Sequence, residues 1–210
     1  MLNDDTRRNQ RYQDLRTLED AIMNRLIIIC GKTNSGKSTL KNALLQHGFE
    51  SIVTYTTRSP RLGEVNGVDY HFVSEEEFEN LKKGQLLEWS GYTKDGQIVQ
   101  VGSSKESYMQ PGKHVAILDA AGLKALEDSK IPYEAYYLDV PKNELIRRAR
   151  QRGTENEKQV MERLDMEEEV YKDIKQYAVP LPLMSTDDLV NTILLIAAII
   201  IVGQIRLKNS

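Results

Sequence analysis

The chain has 210 residues, 28% of them charged and 40% apolar, and carries a formal net charge of −3. That is enough sequence for one domain with a sizeable core and small inserted lobes, and the balance excludes a disordered chain. A weakly acidic total also excludes broad electrostatic attraction to nucleic acid, so any anion has to be held by local clusters of cations.

Residues 1–24 are polar, with Leu15, Leu18 and Ile22 at helical spacing, which predicts an extra helix ahead of the domain. They lack the apolar core of a secretory signal, and Asp4, Asp5, Asp14 and Glu19 argue against an organellar transit peptide. Leu26–Cys30 reads as a buried parallel strand, followed by a glycine-rich turn and a helix from Ser38 to about Gln46. Cys30 is the single cysteine, which excludes an internal disulfide. Behind an apolar run it is expected to be a buried, inert thiol, in a reducing, cytoplasmic setting.

Residues 50–105 are rich in Thr, Tyr and Val, with turn pairs at Asn66-Gly67 and Asp95-Gly96, a composition that predicts short antiparallel strands. One helix, Glu75–Lys83, interrupts them, with Ser74 as N-cap and Glu77 closing a capping box. After Pro111-Gly112 the pattern gives a strand at His114–Asp119, a helix at Leu123–Asp128 and a strand at Tyr133–Val140. Two charged helices follow, Lys142–Gln151 and Glu155–Tyr177, the second with Val160, Leu164, Tyr171 and Ile174 along one face. Pro180 and Pro182 in "AVPLPLM" mark the last strand as an edge strand or a shortened one. Leu189–Ile205 carries no charge; the expectation is a helix in the core or at a subunit contact rather than a membrane anchor. Strands alternating with helices make the fold α/β, a parallel sheet with helices on both faces and an inserted β-rich lobe.

The chemistry starts at "GKTNSGKS", Gly31–Ser38, which has the P-loop spacing G-x-x-x-x-G-K-[ST] between a strand and a helix. Gly31 and Gly36 let the backbone N–H groups of Thr33, Asn34 and Ser35 curl around phosphate oxygens. Lys37 would reach the β- and γ-phosphates, Ser38 would ligate Mg²⁺, and the helix opening through Thr39 adds its positive end. The expected ligand is a purine nucleoside triphosphate with Mg²⁺. Asp119, ending a second apolar strand, would steady the metal through water or touch a substrate; its plainer reading is a helix cap. "TYTTRSPRLGEVNGVDY" adds Arg58, Arg61 and Tyr70, two guanidinium forks and a phenol suited to a monophosphate.

Together, "TTRSPRLGEVNGVDYHFVSEEEF…LLEW", "VGSS", "ILD" and "RRARQRGTENEKQVMERL" resemble the guanylate kinase family, from about Leu26 to Leu189. The resemblance implies ATP-dependent phosphorylation of GMP, with dGMP as an allowed acceptor. It implies that Arg58, Arg61 and Tyr70 hold the GMP phosphate and that Glu88 accepts guanine N1–H and the 2-amino group. By the same resemblance Thr54 and Ser103 lie near guanine O6, and Asp119 belongs to the nucleotide site. Arg148, Arg152 and Arg163 would be lid arginines closing over the phosphates beside Lys37. The chain is then divided into an N-terminal helix (1–24) and one domain (25–210). That domain has a core (25–49, 106–141, 178–210), a GMP-binding lobe (50–105) and a lid (142–177). The implied partners are ATP and GMP, with no nucleic acid, no membrane, and a homodimer allowed.

Two positions depart from the family's pattern. Val101 stands where a tyrosine donates to the acceptor phosphate, and Ala121 where a second aspartate follows the one matching Asp119. One lost donor weakens monophosphate binding by about 1–2 kcal/mol, with Tyr92 or Ser104 as candidate replacements. These departures leave room for a kinase of another small phosphate acceptor, such as a ribose bisphosphate. A guanylate-kinase-like binding module without catalysis is the other alternative, and the intact Gly31, Gly36, Lys37 and Ser38 speak against it.

Overall fold

The structure, a computed structural model, describes Gln13 and residues 23–94, 96–153 and 156–196. The helix expected over 1–24 falls almost wholly outside the described residues, as does the apolar stretch from 197 onward. In chain order the strands are β1 (Arg25–Cys30), β2 (Glu50–Ser51), β3 (Tyr55–Thr56), β4 (His71–Phe72) and β5 (Leu86–Lys94). They continue with β6 (Gln97–Ser104), β7 (Lys113–Ile117), β8 (Glu134–Asp139) and β9 (Val179–Pro182). The helices are α1 (Lys37–Gln46), α2 (Glu75–Lys82), α3 (Lys105–Tyr108), α4 (Ala120–Ser129), α5 (Lys142–Arg152) and α6 (Glu157–Val170). A further helix, α7, begins at 186 and is described to 196.

Every residue of β1 is buried. Leu26, Ile28 and Cys30 pack to one side with Leu123 and Leu126 of α4; Ile27 and Ile29 pack to the other with Leu40 and Leu44 of α1. A strand covered on both faces belongs inside a parallel sheet, whose crossover helices supply both covers. β1 is accordingly the middle strand of a five-stranded parallel sheet ordered β2-β7-β1-β8-β9. β9 is its edge. Pro180 and Pro182, two apart, lose their donors on the same side of the strand, and Leu181 between them is buried. Among its described residues, α7 behaves as a core helix: Leu189, Val190 and Ile193 pack on the α1 side of the sheet. No described helix is long and apolar enough to cross a membrane.

The second sheet is four-stranded, in the order β4-β3-β6-β5. It differs from expectation in three ways. Residues 50–51, grouped by the sequence with the β-rich lobe, pair with β7 in the first sheet. β3 and β4 run parallel, because the Asn66-Gly67 turn reverses the chain locally and Thr54 O then accepts from His71 N. β5 and β6 form a long hairpin rather than short strands. The capping box of α2 forms as expected, with Ser74 and Glu77 satisfying each other's backbone N–H groups.

α5 and α6 pack through Leu145, Ala149, Val160 and Leu164, and Lys142 pairs with Asp165 across them. The single face expected over Glu155–Tyr177 is split. The α-helix ends at Val170 and a 3₁₀ turn follows at Ile174–Gln176. Tyr171 and Ile174 leave the helix pair and bury themselves on the first sheet, where Tyr171 stacks on Tyr137 at 5.7 Å. Sheet burial of two large side chains outweighs continued helical hydrogen bonding there. α4 starts three residues earlier than its apolar pattern, at Ala120, because Asp119 caps it.

Ile28→Ala should cost about 2–5 kcal/mol, since its side chain is fully buried at the centre of the sheet. Urea unfolding with an unchanged slope is the measurement; a loss under about 1 kcal/mol would contradict this account of the core.

Candidate active site

The buried strand β1 has to deliver the chain to α1 in six residues, and the turn it makes is built from backbone. A methyl group on Gly31 would lie 2.6 Å from Ser35 Oγ and 3.3 Å from Leu138 Cβ, so no larger residue fits. Gly36, the N-cap of α1, has φ 103°, a left-handed conformation that glycine adopts without strain. No side chain caps α1, so its first N–H groups face the loop, as an anion site requires. Lys37 Nζ donates to the carbonyls of Gly31 (2.7 Å) and Lys32 (2.9 Å), which curls the loop around its ammonium group. Burial pulls Lys37 below the ordinary lysine value, and Glu167 works against that fall. Ser38 and Thr39 stand exposed on the first turn of α1.

The helix pair leans onto this loop. From α5, Arg148 Nη1 donates to Ser35 O at 2.8 Å, and Arg152 Nη1 to Asn34 Oδ1 at 3.3 Å. Glu144 orients Arg148 through Nε at 2.8 Å; Arg147, and then Arg148, hold the Glu144 carboxyl down at about 2. From α6, Glu167 Oε2 accepts the Thr33 N–H at 2.8 Å, and Glu168 pairs with Lys32. Arg163 lies exposed one turn before Glu167, on the same side of α6. A cavity of about 320 Å³ opens between the loop, α5 and the start of α7, lined among others by Ser35, Thr39, Arg148, Arg152, Met184 and Leu189.

The second sheet presents one face to the same region, and strand register says which residues are on it. Glu88 opposes Ser103, Ser90 opposes Val101, Tyr92 opposes Val99, and Thr56 opposes both Val101 and Phe72. Tyr70, two residues before Phe72, shares that face, and the Tyr70 and Phe72 rings lie 5.8 Å apart. Arg58 lies over both rings, 4.8 Å from Tyr70 and 5.5 Å from Phe72. Both nitrogens of its fork bind Glu64 at 2.6 Å, and Glu64 Oε2 also accepts the Arg61 N–H at 2.7 Å. Arg58 chiefly, with the Arg61 amide, holds Glu64 down at about 2. Arg61 itself is exposed, and Thr54 is half-buried at the entrance to β3.

Glu88 is the half-buried acid of that face. Burial raises its carboxyl above the usual carboxylate range, and hydrogen-bonding groups on Ser103 and Tyr108 pull it part of the way back. Tyr108 donates to Glu88 Oε1 at 3.1 Å; Ser103 Oγ is fully buried alongside, short of a well-formed hydrogen bond. Gly122, in the first turn of α4, keeps the meeting point open. A methyl group there would sit 3.4 Å from Glu88 Oε2 and 3.5 Å from Asp119 Oδ1. Asp119 Oδ1 accepts the Gly122 N–H at 2.8 Å, the capping role that its sequence allowed. Asp119 follows β7, the strand beside β1, and meets Glu88 at Gly122, so this carboxylate stands between the loop and Glu88.

Apart from Thr54, Arg61 and Arg163, the residues singled out by sequence fall into two groups on either side of Asp119. Gly31, Thr33, Asn34, Ser35, Gly36, Lys37, Ser38, Thr39, Arg148 and Arg152 gather at the loop, and Tyr70, Arg58, Glu88 and Ser103 share the sheet face. Sequence reasoning missed Glu64, Tyr108, Glu167 and Glu168. Glu64 was visible only as part of a turn, Tyr108 carried no signal, and Glu167 and Glu168 sat in an acidic run that resembles a solvated helix face. Ser104, a candidate replacement for a donor at position 101, is occupied as the N-cap of α3, whereas Tyr92 is on the correct face.

A family model described as "Guanylate kinase" matches residues 23–199. A guanylate kinase of Chlamydia felis (strain Fe/C-56) is 39% identical over 149 residues, covering 67% of this chain and 71% of that protein. One from Schizosaccharomyces pombe is 33% identical over 144 residues, covering 66% and 71%. The crystal structure of guanylate kinase from Anaplasma phagocytophilum superposes with a TM-score of 0.56 at 18% identity, over 83% of this chain and 84% of that one; it supports the fold alone.

Burial, with Asp119 second, lifts the Cys30 thiol to about 12. A thiol probe at pH 8 should leave the native chain unlabelled and label it fully in denaturant; fast labelling of the native chain would contradict this packing.

Proposed function

This chain belongs to the guanylate kinase family, phosphotransferases that make GDP from GMP with ATP, and we propose that it catalyses this reaction through the two groups of residues just described. The observation that carries the proposal is the one sheet face that Arg58, stacked on Tyr70 at the β4 edge, shares with Glu88 at the β5 edge, where Glu88 meets Asp119 beside the loop that holds Lys37. Arg58, Arg61 and Tyr70 take the GMP phosphate. Glu88 accepts the N1–H and 2-amino donors of guanine, a pair that adenine does not present, while Ser103 and Thr54 serve O6.

Phosphoryl transfer needs in-line placement and charge neutralisation more than covalent chemistry. The loop amides from Thr33 to Ser38 and the Lys37 ammonium hold the donor's phosphates, Arg148 and Arg152 neutralise the charge that spreads over the transferred group, and Arg163 closes with them. The helix pair 142–177 then acts as a lid that excludes water. Asp119, between the two groups, orients the approach. Mg²⁺ fits this chemistry: the Ser38 hydroxyl is exposed on the first turn of α1, and among the described residues no cluster of carboxylates or imidazoles would hold a cation alone. Such a cation would arrive with the donor's phosphates, bound by Ser38 and steadied by Asp119 through water, and would supply neutralisation of their charge. The same reading expects a cytoplasmic enzyme drawing on free nucleotides.

The direct test is ADP release, measured with MgATP and a panel of nucleoside monophosphates. GMP should be turned over well above the others; no turnover of GMP under any condition would overturn the proposal. Arg58→Ala should raise the GMP KM by roughly 10–100-fold, because it removes a charge-assisted bond and leaves Glu64 facing the phosphate. Lys37→Ala should chiefly abolish turnover. A second expectation concerns pH. GMP binding needs ionised Glu88, whose carboxyl is raised by burial, so kcat/KM for GMP should fall on acidification at a pH above the ordinary glutamate range. The KM for ATP should stay flat through that interval. Glu88→Gln should remove the step; an unchanged acid limb in that variant would assign it elsewhere.

A further inference from the structure

Glu167 sits in a position that the transfer reaction does not call for. Its carboxylate accepts the Thr33 N–H at 2.8 Å, so a side chain from α6 occupies one of the amide donors of the phosphate loop. A carboxylate and a phosphate edge present the same pair of anionic oxygens, and an N–H of this loop has one favourable direction to offer. The neighbouring Glu168 pairs with Lys32, whose side chain is largely covered, and α6 is fixed to α5 through Leu145, Ala149, Val160 and Leu164.

The end of the loop involved is also defined. Thr33 lies on the limb that follows β1, next to the Gly31 and Lys32 carbonyls that bind the Lys37 ammonium. Lys37 is the residue that reaches the β- and γ-phosphates, whereas the first amides of α1 receive the inner ones. The Glu167 carboxylate sits on the Thr33 amide of this limb, beside the Lys37 ammonium, which sets it at the outer end of the phosphate track. A donor's terminal phosphate and the Glu167 carboxylate then claim the same amide and the same ammonium. A diphosphate leaves the amide to Glu167, and its β-phosphate still shares the Lys37 ammonium.

We propose that Glu167 competes with the terminal phosphate of the donor for the Thr33 amide, and thereby sets how strongly the chain prefers ATP over ADP. This rests on the kinase reading above. The docked carboxylate acts as a specificity-determining lid residue: it lowers affinity for ATP, tolerates ADP, and must leave the loop before the helix pair can close over a bound triphosphate. Lys32–Glu168 is not a competitor, since it involves no loop amide.

Calorimetric titration of MgATP and of MgADP without GMP tests the idea in the wild type, Glu167→Gln and Glu168→Gln. Glu167→Gln removes the charge at nearly constant shape, and Glu167→Ala serves as a second variant should the amide keep the same hydrogen bond. ATP should bind about tenfold tighter in the Glu167 variants, with ADP unchanged within about twofold, and Glu168→Gln should leave the ATP-to-ADP ratio as it is. The proposal is overturned if the ratio is unchanged in both Glu167 variants, if both nucleotides tighten equally, or if ATP binds more weakly. The last result would mean that Glu167 serves the bound donor. A wild-type chain that binds neither nucleotide removes the kinase reading as well; one that turns over GMP while the ratio stays fixed removes this inference alone.

Discussion

Burying β1 on both faces fixes where the chemistry can be. A strand with no exposed side must lie in the middle of a parallel sheet, and parallel strands all end at the same edge. The chain leaves β1 at that edge through Gly31–Gly36, leaves β7 through Asp119, and leaves β8 towards α5. Loop, carboxylate and guanidinium groups thus gather at one rim without any side chain having to reach far. The glycines follow from the same constraint, because a turn crowded between Ser35 and Leu138 has no volume for a side chain at position 31. Had β1 been half-exposed, the sheet could have been antiparallel and those ends would have alternated.

Within a chain of net charge −3, anion sites have to be assembled locally, and three of the cations around this site are already held by carboxylates. Arg58 is forked onto Glu64, Arg148 onto Glu144, and Lys32 onto Glu168. Glu64 and Glu144 are held far below the ordinary carboxylate range, so these two pairs stay charged at any physiological pH. Such pairing aims the guanidinium groups before a ligand arrives and lowers the ordering cost of binding. It also means that a phosphate enters beside an existing anion. Glu64 and Glu144 bind side chains that have further N–H groups to offer; Glu167 differs because it occupies a single backbone amide.

The core was legible because its signals are redundant. The run Leu26–Cys30, the P-loop spacing and the alternation of strands and helices each point to the same parallel sheet, and Ser74 with Glu77 marked one helix start correctly. Boundaries failed where tertiary burial outweighed a local period: the face read over Val160–Ile174 broke at Val170 because Tyr171 and Ile174 found the sheet. The short β2 failed for the opposite reason, being two residues with no pattern of their own. At the site, sequence showed the cations and the half-buried acid but not their carboxylate partners. A glutamate that aims an arginine looks, in sequence, like any surface glutamate.

The structure also bounds what the departure at position 101 removes. Val101 faces the acceptor side between Thr56 and Ser90, so a donor is missing at one point of a face whose other members remain. The Thr56 hydroxyl is committed, donating to Gln100 O and accepting from Arg58 N, and Ser104 is committed to α3. Ser90 lies directly across from Val101 on β5, and Tyr92 follows it two residues on, on the same face. Position 121 lies exposed in the first turn of α4, so the alanine there removes charge without disturbing the contact among Gly122, Glu88 and Asp119. In the proposed reaction, base recognition and phosphate recognition would fall to separate parts of one sheet face. On that proposal, a change at the phosphate end would shift how tightly the acceptor is held, while Glu88 would still decide which base is accepted.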